Sequence, residues 1–268
     1  MIQLIAIDID DTLLTRHATI SPKTLAALQR AIARGTKVVL CSGRPLAGVS
    51  RYLEQLGLSG DDQYVITNGG AVSETVSGRL LARAALTPAD YLHVTAFART
   101  KGLHHNVVDA ESAIITADRT VDYYVLQQAM ENHAPVLVRD PTEMGPTFAP
   151  VKAVFVGAPA VLDAKLDAIR TEFAHLYVVR TGPQFVELMH PDVSKGAALA
   201  ALCAQLDLPP AAVAAIGDEE NDLTMFAFAG TTIAMGNALP RVQAAADFTT
   251  ADHDHDGIAV ALRRLALD

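Results

Sequence analysis

Two aspartates, Asp8 and Asp10, stand two residues apart in the run Ile7-Asp8-Ile9-Asp10-Asp11-Thr12-Leu13-Leu14. Carboxylates that close repel unless a cation or a shared proton offsets the charge. A second acidic run, Gly217-Asp218-Glu219-Glu220-Asn221-Asp222, offers the hard oxygen ligands that suit Mg2+. Ser42-Gly43-Arg44 supplies a hydroxyl and a flexible backbone able to hold a phosphate oxygen. Lys195 follows Ser194 where a helix is expected to begin. Positive charge at that end opposes the helix dipole unless an anion sits against both.

Each of these groups ends an apolar run or opens a helix. The runs Ile2–Ile7, Thr36–Cys41, Tyr64–Thr67 and Val213–Ile216 have the length and branching of buried strands, and they stop at Asp8, Ser42, Asn68-Gly69-Gly70 and Gly217-Asp218. Between them, Ser21-Pro22 opens a helix carrying Leu25, Leu28 and Ile32 at helical spacing, closed by Gly35. Further helices are expected over Pro45–Leu56, Ser194–Leu206, Asn221–Phe228 and Gly257–Leu267. The alternation predicts an α/β fold, a doubly wound, mainly parallel sheet of Rossmann-like type, whose ligands gather outside the carboxyl ends of the strands. From about Arg83 to Glu187 the pattern changes to paired strand candidates, such as Leu103–Val108 with Ala113–Thr116, mixed with helices. The expected organisation is a core of residues 1–83 and 189–268 with an α+β insert at 84–188.

Half of the 268 residues are hydrophobic, which excludes low-hydrophobicity disorder. Twenty-one basic against 30 acidic residues leave a net charge of −9 with no basic block, which argues against nucleic acid or an anionic membrane as partner. Absence of tryptophan and an aromatic content of 5% make a base-stacking platform a poor reading. No stretch approaches the ~18 apolar residues of a membrane span. The first residues carry acid where a leader would carry Lys or Arg, so a cytoplasmic location is expected. Cys41 and Cys203 fit no zinc spacing and suit a reduced compartment. Oligomeric state leaves no signal in the sequence.

Taken together and in this order, the four motifs resemble those of the haloacid dehalogenase superfamily, in particular its Cof-type members with an α+β cap inserted midway. The resemblance covers essentially the whole chain. It implies a Mg2+-dependent phosphatase acting on small phosphorylated metabolites through an aspartyl-phosphate. Asp8 would be the nucleophile and Asp10 the general acid–base. Asp8, the backbone carbonyl of Asp10, Asp218 and Asp222 would form the metal site. Ser42 and Lys195 would hold the phosphoryl group, helped by backbone N–H groups of Ile9 and Gly43, while Asn221 orients the phosphate or Lys195 and Thr12 supports the loop. Asp11 stands where many members have glycine and is assigned to loop geometry, not to the metal. The insert is expected to gate the site and to set selectivity.

Other residues carry weaker signals. Asn68 and Gly69, at a strand end, are candidate substrate contacts. The run His253-Asp254-His255-Asp256 looks like a metal site on paper but is expected to be a solvated loop. His104, His105 and Asn106 are expected on the surface of the insert, and Cys41 in the core. Two rival readings of the whole are a phosphomutase using the same aspartates and a phospho-accepting, receiver-like signalling module. The second leaves the large insert and the acid two residues after the nucleophile unexplained.

Overall fold

Strand β1 (Leu4–Ile7) is buried at every position, which is what a strand covered on both faces of a parallel sheet requires. The structure, a computed structural model, describes residues 1–267. Helix α1 (Pro22–Ala33) begins as the sequence predicts, with the Ser21 hydroxyl accepting from Thr24 N–H at 3.2 Å. Then follow β2 (Lys37–Cys41), α2 (Leu46–Leu56), β3 (Tyr64–Thr67), β4 (Val72–Thr75) and β5 (Leu80–Arg83). The chain forms two compact units, one made of Met1–Gly43, Val49–Ala82 and the residues from Ser194 onward, the other of Arg44–Gly48 and Arg83–Val193.

In the second unit, α3 (Pro88–Lys101) starts at a Thr87–Asp90 capping box and ends at left-handed Gly102. It is followed by β6 (His104–Val108), β7 (Ile114–Thr116), α4 (Tyr123–Asn132), β8 (Val136–Val138), β9 (Lys152–Val156), α5 (Pro159–Asp163), α6 (Leu166–Glu172), β10 (Tyr177–Gly182) and β11 (Phe185–Met189). Among the described residues the strands lie in the order β10-β11-β9-β6-β7-β8, antiparallel except for β7 and β8, which α4 joins as a parallel crossover. Phe97, Phe155 and Phe173 pack edge-on and tilted in the core of this unit, with ring centroids 5.2 to 6.0 Å apart. His105 and Asn106 are buried here, contrary to the surface placement expected for them. His105 bonds Thr95 Oγ1 at 3.1 Å, and burial pushes its ring down to about 4. Asn106 donates to Gln128 at 2.8 Å. Four successive positions of β6 are buried, and His105 meets helix α3 through Thr95, a cover that its polar sequence does not announce.

The chain returns to the first unit with α7 (Lys195–Gln205), β12 (Val213–Gly217), α8 (Leu223–Phe228), β13 (Thr231–Ala234), α9 (Pro240–Ala245), β14 (Phe248–Thr249) and α10 (Gly257–Arg264). Its strands run β14-β13-β12-β1-β2-β3-β4-β5, with the first six parallel and β4 antiparallel to β3. From β1 the sheet is extended one way through β2 and β3, and from β12 the other way through β13 and β14. The order therefore reverses between β1 and β12, where an open α/β sheet places its ligands. The helix expected over Asn221–Phe228 is split. A 3-10 turn covers Glu220–Asp222 and α8 begins only at Leu223, because the Asp222 carboxylate turns back to cap the chain before it.

Candidate active site

Register puts the ends of four strands side by side, since Ile7 pairs with Ile216 and Leu40, and Cys41 with Ile66. The next residues are therefore Asp8, Gly217-Asp218, Ser42 and the Asn68 turn. After β1 the chain makes a wide turn in which Leu13 N–H donates to Asp8 C=O (3.2 Å) and Leu14 N–H to Ile9 C=O (3.0 Å). Asp11 takes a left-handed conformation inside that turn, with φ 55° and ψ 10°. This costs a residue with a Cβ about 1–2 kcal/mol, and it explains why a glycine is at home there.

The lysine at the start of α7 points into the acids. Its Nζ donates to Asp8 Oδ1 at 2.5 Å and to Asp222 Oδ1 at 2.7 Å, and its side chain is about 1% exposed. The other Asp222 oxygen accepts from the N–H groups of Asp218 (2.9 Å) and Glu219 (3.1 Å). Thr12 Oγ1 donates to Asp218 Oδ1 at 2.5 Å, tying the loop after β1 to the loop after β12. Two glycines permit this closeness. A Cβ on Gly217 would lie 2.4 Å from the Asp222 carboxyl carbon. Gly70, at φ +104°, lets its turn approach the Ser194 carbonyl, where a Cβ would lie 2.2 Å away.

Asp8, Asp218 and Asp222 can each bring one carboxylate oxygen within 4.8 Å of the others, and all three are buried. One lysine against three acids leaves the cluster rich in negative charge. Burial raises the Asp8 carboxyl well above the ordinary range despite Lys195, with Asp222 and Asp218 adding to the rise. Burial likewise pushes Asp218 up to about 7, against the Thr12 hydrogen bond. Lys195 is held protonated by Asp222 and Asp8, which together outweigh its own burial. A divalent cation among these oxygens would supply the charge that protons otherwise supply, so the residues fit Mg2+.

Other sequence candidates fall around this cluster. Asp10 is exposed, and its carboxylate is not part of the acidic group. Ile9 is buried, and Ser42 is buried with its N–H donating to Ile66 C=O at 2.9 Å. The Ser42 carbonyl accepts from Gly69 N–H at 2.9 Å, which joins Ser42-Gly43 to the Asn68-Gly69 turn. Asn68 is buried at φ 51° and leaves its Oδ1 without a hydrogen-bond partner. Asn221 is exposed in the 3-10 turn before α8, its carbonyl accepting from Thr224 Oγ1. Cys41 is fully buried, and burial drives its thiol far above the range of a reactive cysteine. Sequence reasoning did not single out Asn237 and read His253 only as part of a solvated loop, whereas the side chains of both contact the carbonyl of Asp11.

The family model of haloacid dehalogenase-like hydrolases matches residues 5–262. The chain belongs to that family. Among its relatives, "Putative phosphatase M6_Spy0533" of Streptococcus pyogenes is 35% identical over 100% of this chain and 99% of its own length. "Putative phosphatase YxeH" of Bacillus subtilis is 34% identical over the same shares. A solved haloacid dehalogenase-like hydrolase from Bacteroides thetaiotaomicron superposes with a TM-score of 0.91 at 28% identity, covering 99% of this chain and 100% of that one. The doubly wound core of this hydrolase is thus shared with a solved haloacid dehalogenase-like hydrolase. Among the described residues no helix is long and apolar enough to cross a membrane.

Proposed function

We propose that the protein is a Mg2+-dependent phosphatase that hydrolyses small phosphomonoesters through an aspartyl-phosphate on Asp8. The observation that carries this reading is Lys195, buried and bonded to both Asp8 and Asp222 at the switch point of the sheet. A lysine so placed holds one carboxylate in position and presents positive charge where a phosphoryl oxygen would sit. The phosphatase names of the relatives support the same reaction class.

In the first half-reaction an Asp8 carboxylate oxygen attacks phosphorus, the bond from phosphorus to the ester oxygen breaks, and Asp10 donates a proton to the departing alcohol. In the second, Asp10 takes a proton from water as the water oxygen attacks phosphorus, and the bond to Asp8 breaks. Lys195, the Ser42 hydroxyl and the N–H groups of Ile9 and Gly43 hold the transferring group, with Asn221 orienting it. Mg2+, held by Asp8, Asp218, Asp222 and the Asp10 carbonyl, would add positive charge that offsets the phosphoryl oxygens. Asn68 and Gly69 would meet the alcohol portion of the ester. The inserted residues 84–188 would act as a cap that sets selectivity among esters.

The test is a panel of phosphorylated metabolites (sugar phosphates, pyridoxal phosphate, nucleotides, flavin mononucleotide) assayed with Mg2+ and with a chelator. Mg2+-dependent release of phosphate from at least one is expected. Release that a chelator leaves untouched would remove the metal from the reading.

The same cluster makes stability depend on pH and metal together. The Asp218 carboxyl is raised to about 7 from its ordinary ~3.9, so between those values the metal-free folded state binds a proton that the unfolded chain does not. Its contribution to stability is fully present below the unfolded value and is lost as pH rises through about 7. Mg2+ should therefore raise the melting temperature more at pH 8 than at pH 6. Thermal melts in chelator and in Mg2+ at the two pH values read this directly, and an equal gain at both would place the metal away from Asp218.

A further inference from the structure

The run His253-Asp254-His255-Asp256 forms no metal constellation, since among the described residues Asp8, Asp218 and Asp222 are the one such group. Its side chains reach the loop that carries Asp8 and Asp10. The carbonyl of left-handed Asp11 accepts from Asn237 Nδ2 at 2.8 Å and lies 3.1 Å from His253 Nδ1. A carbonyl only accepts, so His253 Nδ1 carries a hydrogen in this arrangement. Asn237 is held in turn by the N–H of His253, which donates to its Oδ1 at 3.1 Å. Farther along the same loop, Asp254 takes the Arg16 N–H at 3.0 Å and the Arg16 guanidinium at 2.5 Å. The segment holding Asn237 also reaches the metal-side loop, because Leu239 N–H donates to the Asp218 carbonyl at 3.1 Å.

We propose that Asn237 and His253 are positioning residues for Asp10. By fixing the Asp11 carbonyl from outside, they hold Asp11 left-handed and so set the direction in which the preceding residue, Asp10, presents its carboxyl. Neither touches the phosphoryl group. Arg16 and Asp254 anchor the far end of the loop, so rotation at Asp11 is opposed from both sides. The inference rests on the phosphatase reading, in which Asp10 protonates the leaving alcohol.

A misdirected Asp10 should matter in proportion to how much the leaving group needs a proton. An alkoxide is strongly basic and needs one, whereas p-nitrophenolate departs without it. Wild type, Asn237→Asp, His253→Ala and His253→Asn are assayed with glycerol phosphate and p-nitrophenyl phosphate. The readout is kcat/KM, which covers the steps up to formation of the phosphoenzyme. Asn237→Asp keeps the shape but sets an acceptor against the Asp11 carbonyl. His253→Asn keeps an N–H near the position of Nδ1. The expected result is a loss of at least about tenfold on glycerol phosphate for Asn237→Asp and His253→Ala, little loss on the aryl ester, and recovery in His253→Asn. The spared aryl activity shows that the variants are folded. Equal losses on both esters, or no loss on either, would overturn the positioning role while leaving the phosphatase reading standing. A wild-type protein that cleaves neither ester, and acquires no phosphoryl group on Asp8 from any member of the metabolite panel, would overturn both.

Discussion

Asp8→Asn should abolish turnover without unfolding the protein. The substitution keeps the shape of the side chain and an oxygen for Lys195, and it removes only the attacking charge. Loss of a nucleophile of this kind costs on the order of 10^4–10^6 in kcat, so activity should fall to background. Stability should not follow. Asp8 is buried, and burial with Asp222 and Asp218 disfavours its charged form more than Lys195 favours it, while Lys195 keeps Asp222 as its counter-ion in the variant. Removing that charge relieves the metal-free protein, so its melting temperature in chelator should stay level or rise. A variant that is inactive because it is unfolded would show the reverse, with a lower melting temperature and lost far-ultraviolet dichroism.

Lys195→Met should damage the structure as well as the chemistry. The lysine is bonded at 2.5 Å to Asp8 and at 2.7 Å to Asp222, and all three are buried. Removing one partner of a buried ion pair leaves the other uncompensated and typically costs 3–5 kcal/mol, so a loss of about 4 kcal/mol in urea unfolding is expected at pH 8 without metal. The sign with pH follows from the groups left behind. Lys195 itself, raised by the two acids, keeps its proton throughout the neutral range and contributes no pH dependence there. The stranded Asp8 carboxyl, already raised by burial, can take a proton as pH falls. The destabilisation should therefore shrink at pH 5.5, and Mg2+ should recover part of it at pH 8. A loss independent of pH and metal would mean that the packing of the lysine chain, and not its charge, is what α7 needs.

The sheet was legible where chemistry and burial coincide. β1, β12 and, past its opening Lys37, β2 are apolar runs because both faces are covered, and a polar residue follows each where the chain leaves the sheet. β4 was not legible, since Val72-Ser73-Glu74-Thr75 places polar residues at positions the fold buries. The site divides the same way. That Asp8, Lys195, Asp218 and Asp222 meet could be read from strand ends and from a lysine misplaced against a helix dipole. Asn237 and His253 could not, because a side chain reaching a backbone carbonyl more than 200 residues away leaves no period and no spacing. Gly217 was read as a strand breaker, and the structure adds a steric reason for it in the Asp222 carboxylate against its Cα.

The central claim is that the phosphoryl group passes through Asp8. Rapid acid quench during turnover of an active ester, followed by mass analysis of the peptide containing Asp8, tests it most directly. The account predicts a phosphoryl group on Asp8 that forms before phosphate is released, decays as water consumes it, and is absent from Asp8→Asn. Phosphate release at full rate with Asp8 unmodified at every quench time would contradict it and would leave direct attack of water on the ester as the mechanism.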